Sequence, residues 1–303
     1  MTSEGDAGLR YSRLNALTSF GYDVDFEDLR SKRVVVVGVG GVGSLSAEML
    51  ARCGVGHIVV MDLDVVGEEN LNRVFYKSHH VGRYKAEVCA EVLRDVNPDI
   101  TVEHYHTDIM SPTFEPTFEH LIRAADLVMQ GLDNVPARQY LNVKCVELNT
   151  PLMDAGALRS GLGGYVHLVI PGETACYQCV GSVKIQKKAN DARGPQCAAS
   201  LPTTIAMISA MQTQQALKFL LGFGKRADFI NYNGLGDMFH VLTLPRDPHC
   251  YVCGQPTSAD ELSELWVDLD QEAGEVEQLM RSLDVKEMEI AEEEVRKKEQ
   301  LGS

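Results

Sequence analysis

The sequence predicts an α/β protein built on a mostly parallel sheet with flanking helices, and three observations predict it. Residues 33–37 read Arg-Val-Val-Val-Val, a short valine-rich run of the kind found in a strand buried on both faces. Gly38, Gly40, Gly41 and Gly43 follow at once, and residues 44–50 continue at helical spacing. Beyond them strand-like and helix-like runs alternate across short links, the pattern of βαβ units.

Taken in order, residues 11–17 predict a short helix lying outside the sheet. A second strand covers 57–61 and ends at Asp62. A helix over 83–96, a strand over 100–105, a helix over 114–123 and a strand over 126–130 follow. Asp133 and Asn134 are both fair N-caps for the next helix. The strand at 151–155 is succeeded by residues 163–171, which alternate as an antiparallel or edge strand does. A polar, basic loop fills 181–196. The apolar run 201–221 is then interrupted by Gln212, Gln214, Gln215 and Lys218, which predicts a core helix and no membrane span. Strands at 229–232 and 238–244 close the body, so the chain is expected to divide into a folded body at 1–255 and a tail at 256–303.

Charge supports that division. Of the chain's 303 residues, those from 258 onward carry 15 acidic and 5 basic side chains, ten of the fifteen net negative charges. So acidic a chain is not expected to act on nucleic acid. Within the tail, Val276, Leu279, Met280 and Leu283 form one helical stripe, and Trp266, Val267 and Leu269 lie among acids, a docking-type segment or one that packs back on the body. No basic segment followed by an apolar one opens the sequence, so a reducing, cytoplasmic location is expected. The eight cysteines are then expected to be reduced, with pairs meaning metal and singles meaning packing or catalysis.

The glycine run predicts a phosphate site, because it lets the backbone approach an anion just where free N–H groups start a helix. Asp62, about 20 residues on at a strand end, is where a ribose-binding acid is expected, which makes the fold Rossmann-like. Cys176, Cys179, Cys250 and Cys253 form two C-x-x-C pairs, the spacing of a closed, structural Zn²⁺ site; neither pair is expected to open a helix after a strand, as a redox pair would. Asn72, Arg73 and Lys85 supply polar and cationic groups for a triphosphate, and Asp133, just past a strand's carboxyl end, supplies an acid for Mg²⁺. Adenylating chemistry needs both, whereas hydride transfer needs neither. Cys197, between an irregular loop and a helix start with Lys187, Lys188 and Arg193 nearby, is either a nucleophile with a lowered pKa or a structural thiol. Cys53, Cys89 and Cys145 read as core thiols.

Together these pieces resemble the activating enzymes of ubiquitin-like modifiers. The resemblance runs from Tyr11 to Cys253. It rests on the glycine loop, Asp62, Asn70 and Asn72-Arg73, Lys85-Ala86, Asp133-Asn134 with Arg138, and the four paired cysteines. Cys-Ala-Ala-Ser-Leu-Pro-Thr-Thr at 197–204 and Tyr-Ser-Arg-Leu at 11–14 resemble the branch that acts on ubiquitin-fold modifier 1 in ufmylation. The resemblance implies an adenylation domain at 1–255 that binds ATP, Mg²⁺ and Zn²⁺. It places Asp62 on ribose, Gly41, Asp108 and Asn134 around the nucleotide, Arg73 and Lys85 on phosphates and Asp133 on Mg²⁺. Cys197 would form a thioester with the modifier and pass it to a conjugating enzyme. Arg13 would reach the ATP of the opposite subunit of a homodimer, although by itself it reads as a solvated helix residue. The tail, through Trp266 to Leu269, would bind the modifier or autophagy-receptor-type proteins. Two departures stand out: Val74 occupies a position where relatives often carry Gln, and the spacing around Trp266 differs from the family motif. The alternatives are a sulfur-carrier adenylyltransferase with the same ATP site, an NAD-dependent dehydrogenase, and a non-catalytic scaffold acting through the tail.

Overall fold

The computed structural model describes residues 9–21, 24–158, 161–182 and 201–254. The chain divides into two units, 1–177 with 195–245 and 178–194 with 246–303.

The first unit is organised on one sheet of order β3-β2-β1-β4-β5-β6-β7-β8. Its strands are β1 Arg33–Val37, β2 His57–Asp62, β3 Thr101–His106, β4 Leu127–Gln130, β5 Leu152–Ala157, β6 Gly163–Val169, β7 Phe229–Asn233 and β8 Met238–Leu242. β1 to β5 run parallel, and β6, β7 and β8 are added antiparallel, as the alternation at 163–171 predicts for β6. Among the described residues of the chain the α-helices are α1 Ser12–Asn15, α2 Gly41–Cys53, α3 Lys85–Val96, α4 Glu115–Arg123, α5 Val135–Glu147, α6 Tyr177–Ser182 and α7 Pro202–Leu221. Val34, Val35, Val36 and Val37 are all buried, which is why this strand carries no alternation. One core cluster joins Val34 and Val36 to Leu50 of α2, Leu93 of α3 and Ile208 of α7.

The expected helix at 11–17 shrinks to the single turn α1, followed by a 3₁₀ turn at Ala16–Phe20. The hydroxyls of Ser12, Thr18 and Ser19 each donate to the carbonyl three residues back, an alternative to regular helix bonding, and Gly21 ends the segment in the left-handed region. Tyr11 anchors it: its hydroxyl exchanges hydrogen bonds with the buried Asn97 side chain, and its ring lies against Gly54.

β1 stands between β2 and β4, so the chain winds away from it in both directions. The loops after β1 and β4 therefore flank a crevice at the carboxyl end of the sheet, where ligands of doubly wound sheets bind. Among the described residues no helix, α7 included, is long and apolar enough to cross a membrane. In the second unit, residues 247–254 form a turn in which Cys250 N–H donates to Asp247 and Gly254 N–H to Cys250. The acidic tail, with Trp266, Val267, Leu269 and the Val276 to Leu283 stripe, lies outside the described residues, as does Cys197.

Candidate active site

The loop after β1 is shaped by missing side chains. Gly38 has φ of 83°, which glycine adopts without strain, and its N–H donates to the Met61 carbonyl at 2.8 Å. A Cβ on Gly43 would stand 1.9 Å from the Gly38 carbonyl oxygen, and one on Gly131 would stand 2.7 Å from the same atom. The loops after β1 and β4 thus meet backbone to backbone. Val39 is held from both sides, its N–H donating to Asp62 Oδ2 at 2.8 Å and its carbonyl accepting from the Tyr76 hydroxyl. α2 starts immediately after Gly40, so its first N–H groups and the positive end of its dipole face the crevice, an arrangement suited to phosphate.

Asp62 closes one side. Its second oxygen accepts from Asp64 N–H at 2.8 Å, which leaves lone pairs on both oxygens for a sugar hydroxyl. Burial pushes its carboxyl above the usual range, opposed by Lys85 and by the two N–H donors. Lys85, 8% exposed at the start of α3, donates from Nζ to Asp64 Oδ2 at 2.8 Å. Burial draws the ammonium's pKa down, but Asp62 and Asp64 overcome that and the net shift is upward, so Lys85 is held charged. Arg73 ends a 3₁₀ turn at Glu68–Arg73, with its Cδ 3.2 Å from where a Gly41 Cβ would be, so it lies over the start of α2. Asn72 beside it is exposed, while Asn70 is buried and caps the turn by accepting from Gly67 N–H. Val74 takes φ of 65° and is exposed, an unusual conformation for a β-branched residue, directly after Arg73.

Across the crevice, Asp133 is exposed between β4 and α5, and its charge contributes to the upward shifts of both Lys85 and Arg138. Asn134 is the N-cap of α5, accepting from Ala137 N–H at 2.9 Å. Asp108 lies past the end of β3 at the same carboxyl edge, exposed, with its carboxylate accepting from Met110 N–H at 2.9 Å.

The structure therefore brings Gly38, Gly40, Gly41, Gly43, Asp62, Arg73, Lys85, Asp133 and Asn134 to one end of the sheet. Arg13 is elsewhere. Tyr11 packs beside Gly54, just past the far end of α2, and a 13-residue helix is about 20 Å long, so Arg13 is remote from the glycine loop of its own chain. The segment carrying Cys197 leads into α7, whose Ile205 lies against Gly41. Cys89 and Cys145 are fully buried and Cys53 partly so; burial pushes all three thiols up, that of Cys53 to about 11, as expected of core thiols.

The Sγ atoms of Cys176, Cys179, Cys250 and Cys253 all lie within 4.8 Å of one another. Four sulfurs at about 2.3 Å from one Zn²⁺ stand about 3.8 Å apart, so this donor set fits a closed tetrahedral site. Cys179 and Cys253 are 3.3 Å apart, too far for a disulfide. One expectation needs correcting: Cys176 directly precedes α6, which follows β6, so the first pair does open a short helix. The turn Thr174 makes at the end of β6, accepting from Ile170 N–H, was not legible in the sequence. What separates the cluster from a redox pair is the convergence of all four sulfurs.

A model of the ThiF family matches residues 11–252. The chain belongs to the ThiF family. Over about 250 to 260 residues it is 36% identical to ubiquitin-like modifier-activating enzyme 5 of Bombyx mori, covering 82% of this chain and 66% of that one. It is 37% identical to the Gallus gallus protein of the same name (79% and 63%) and 38% to that of Caenorhabditis elegans (79% and 60%). The chain thus spans roughly three-fifths to two-thirds of the length of these relatives. Among solved ThiF-like structures, E. coli MccB with AMPCPP and MccA superposes with a TM-score of 0.69 at 26% identity, covering 84% of this chain and 77% of that one. MccB with ATP gives 0.65, 26%, 76% and 68%.

Sequence reasoning missed Asp64, the partner of Lys85, although Asp62-x-Asp64 at a strand end signals it. It also left unassigned the pair made by Arg138 and Asp154, joined at 2.8 Å with Asp154 fully buried.

Proposed function

We propose that this chain activates a ubiquitin-like modifier, with ubiquitin-fold modifier 1 as its substrate. The modifier's C-terminal glycine carboxylate attacks the α-phosphate of ATP, giving an acyl-adenylate and releasing pyrophosphate. Cys197 then attacks the acyl carbon as thiolate, AMP leaves, and the resulting thioester passes to the cysteine of a conjugating enzyme.

The observation that carries this reading is the convergence of the glycine loop, Lys85, Arg73 and Asp133 on one crevice. The names of the three relatives and the ATP in an MccB complex support it. The α2 N-terminus receives phosphate, Asp62 accepts from the ribose, and the cations of Arg73 and Lys85 offset charge that moves onto pyrophosphate. Asn72, Asp108 and Asn134 complete the nucleotide's surroundings. Asp133 would hold Mg²⁺, whose chemistry is to polarise and screen the phosphates. The four cysteines would hold Zn²⁺ as a structural ion. Arg13, remote from its own glycine loop, is assigned to the nucleotide of a second copy in a homodimer. The adenylation domain is set at 1–255 and the acidic tail at 256–303 is assigned to binding the modifier or autophagy-receptor-type proteins through Trp266 to Leu269. A cytoplasmic location completes the reading.

A non-reducing gel with ATP, Mg²⁺ and a panel of modifiers tests it. A larger band that disappears with added thiol and in Cys197→Ala is expected with ubiquitin-fold modifier 1. A band that persists in Cys197→Ala moves the thioester to another residue, and persulfide in its place indicates a sulfur-carrier adenylyltransferase.

A further inference from the structure

We propose that Arg138, braced by Asp154 and Tyr165, is a positioning residue that fixes Asp133 for the metal–nucleotide complex. The inference rests on the adenylation reading and deepens it. Asp133 is itself exposed on a short loop, and its place depends on what holds its neighbours. On one side Asn134 is tied into α5 by its cap bond to Ala137. On the other, the Arg138 side chain, one turn into α5, reaches back and donates from both Nε (2.8 Å) and Nη2 to the carbonyl of Leu132, the residue before Asp133.

The guanidinium is fixed in turn by the sheet. Nη1 donates to Asp154 Oδ1 at 2.8 Å and to the Tyr165 hydroxyl at 2.6 Å, and Nη2 donates to the Ala155 carbonyl at 3.1 Å. Arg138 is 9% exposed and Asp154 fully buried, so the pair cannot be solvated separately. The space it fills is kept open by Gly156, where a Cβ would stand 2.9 Å from Nη2. Only a planar fork with several donors makes these contacts at once; an ammonium on a lysine stem does not.

The same network continues to the middle of α7. Asp154 Oδ1 also accepts from Gln130 Nε2 at 2.6 Å, and Gln212 of α7 donates to the Gln130 and Met153 carbonyls, both at 2.9 Å. Ser46 of α2 donates to Gln212 Oε1 at 2.7 Å. One buried chain of hydrogen bonds thus runs from α2 and α7, through Gln130 at the end of β4 and Asp154 within β5, to the carbonyl beside Asp133.

The test separates placement of the metal from folding. ATP binding is titrated calorimetrically on the full chain with Mg²⁺ and with chelator, for wild type, Arg138→Lys and Tyr165→Phe. Thermal unfolding of each is recorded alongside. The expected result is that Mg²⁺ tightens ATP binding to the wild type and that this tightening falls about 10-fold in Arg138→Lys, while affinity for metal-free ATP changes little. Tyr165→Phe, which removes one brace and keeps the guanidinium, shows the same effect more weakly. In an Asp133→Asn background the Tyr165→Phe effect vanishes, since the group being positioned is gone. Tightening by Mg²⁺ that is unchanged in folded variants, or equal losses with and without Mg²⁺, overturns the inference. Modifier-dependent exchange of pyrophosphate into ATP is measured on the wild type in parallel: its absence overturns the proposed function and leaves the calorimetric result to decide the positioning role.

Discussion

The loop after β1 and the loop after β4 sit side by side at the carboxyl end of the sheet, yet they are specified in opposite ways. The first is specified by absence: Gly38 and Gly43 let two stretches of backbone meet, and a single added Cβ would collide with a carbonyl. The second is specified by presence: Asp133 stands where it does because Arg138 grips Leu132 from within α5 and Asp154 grips Arg138 from β5. At Gly38 and Gly43 the first loop tolerates no addition. A loop built from a clamp tolerates no subtraction.

The largest test of that contrast is Gly43→Ala. With its Cβ 1.9 Å from the Gly38 oxygen and 3.0 Å from the carbonyl carbon, both backbone atoms, it is expected to cost at least about 5 kcal/mol, enough to leave little folded protein. Soluble yield and the denaturant midpoint check this, and a midpoint near wild type would mean that the Gly38 carbonyl does not pack against Gly43. Next comes Asp154→Ala, which leaves the Arg138 charge buried and unpaired and is expected to cost about 3–5 kcal/mol by urea unfolding. If the clamp view holds, replacing both partners together, Arg138→Met with Asp154→Leu, recovers most of that stability without restoring the placement of Asp133. Smaller again is Asn134→Ala, the loss of an N-cap on α5, expected at about 1 kcal/mol.

The smallest effect is a pH dependence. His167 stands opposite Asp154 in the β5–β6 register, and burial lowers its pKa, against the pull of Asp154, of the Ala175 carbonyl and of Asp228. The unfolded chain therefore takes up this proton at a higher pH than the folded one, so stability is present in full above about pH 6.5 and declines as pH falls below it. Unfolding midpoints across pH 5 to 8 are expected to show that slope, and His167→Gln to flatten it.

The contrast also explains what was legible in the sequence. The glycine loop, Asp62, Asn134 and the two C-x-x-C pairs announce themselves because each is a local pattern whose chemistry lies within a few residues. The β1 to β5 alternation is legible for the same reason, through strand composition and short links. The Arg138–Asp154 pair spans 16 residues, Lys85–Asp64 spans 21, and Gln212–Gln130 spans 82. Arg138 stands in a recognisable motif and Asp64 two residues after Asp62, but which partner each of these residues meets is decided only by the fold. The N-terminal helix is shorter than its spacing predicts because serine and threonine hydroxyls compete with the helix locally, an effect that apolar spacing does not register.

The central claim is that this crevice makes an acyl-adenylate, and exchange of labelled pyrophosphate into ATP tests it most directly. Wild type and Cys197→Ala should both support exchange with ubiquitin-fold modifier 1, since adenylation precedes the cysteine, while Asp133→Asn and Lys85→Ala should each lose it by 100-fold or more, on the order of 3 kcal/mol of transition-state stabilisation. Exchange that is absent with every modifier tried, or that survives unchanged in Asp133→Asn, would contradict the account.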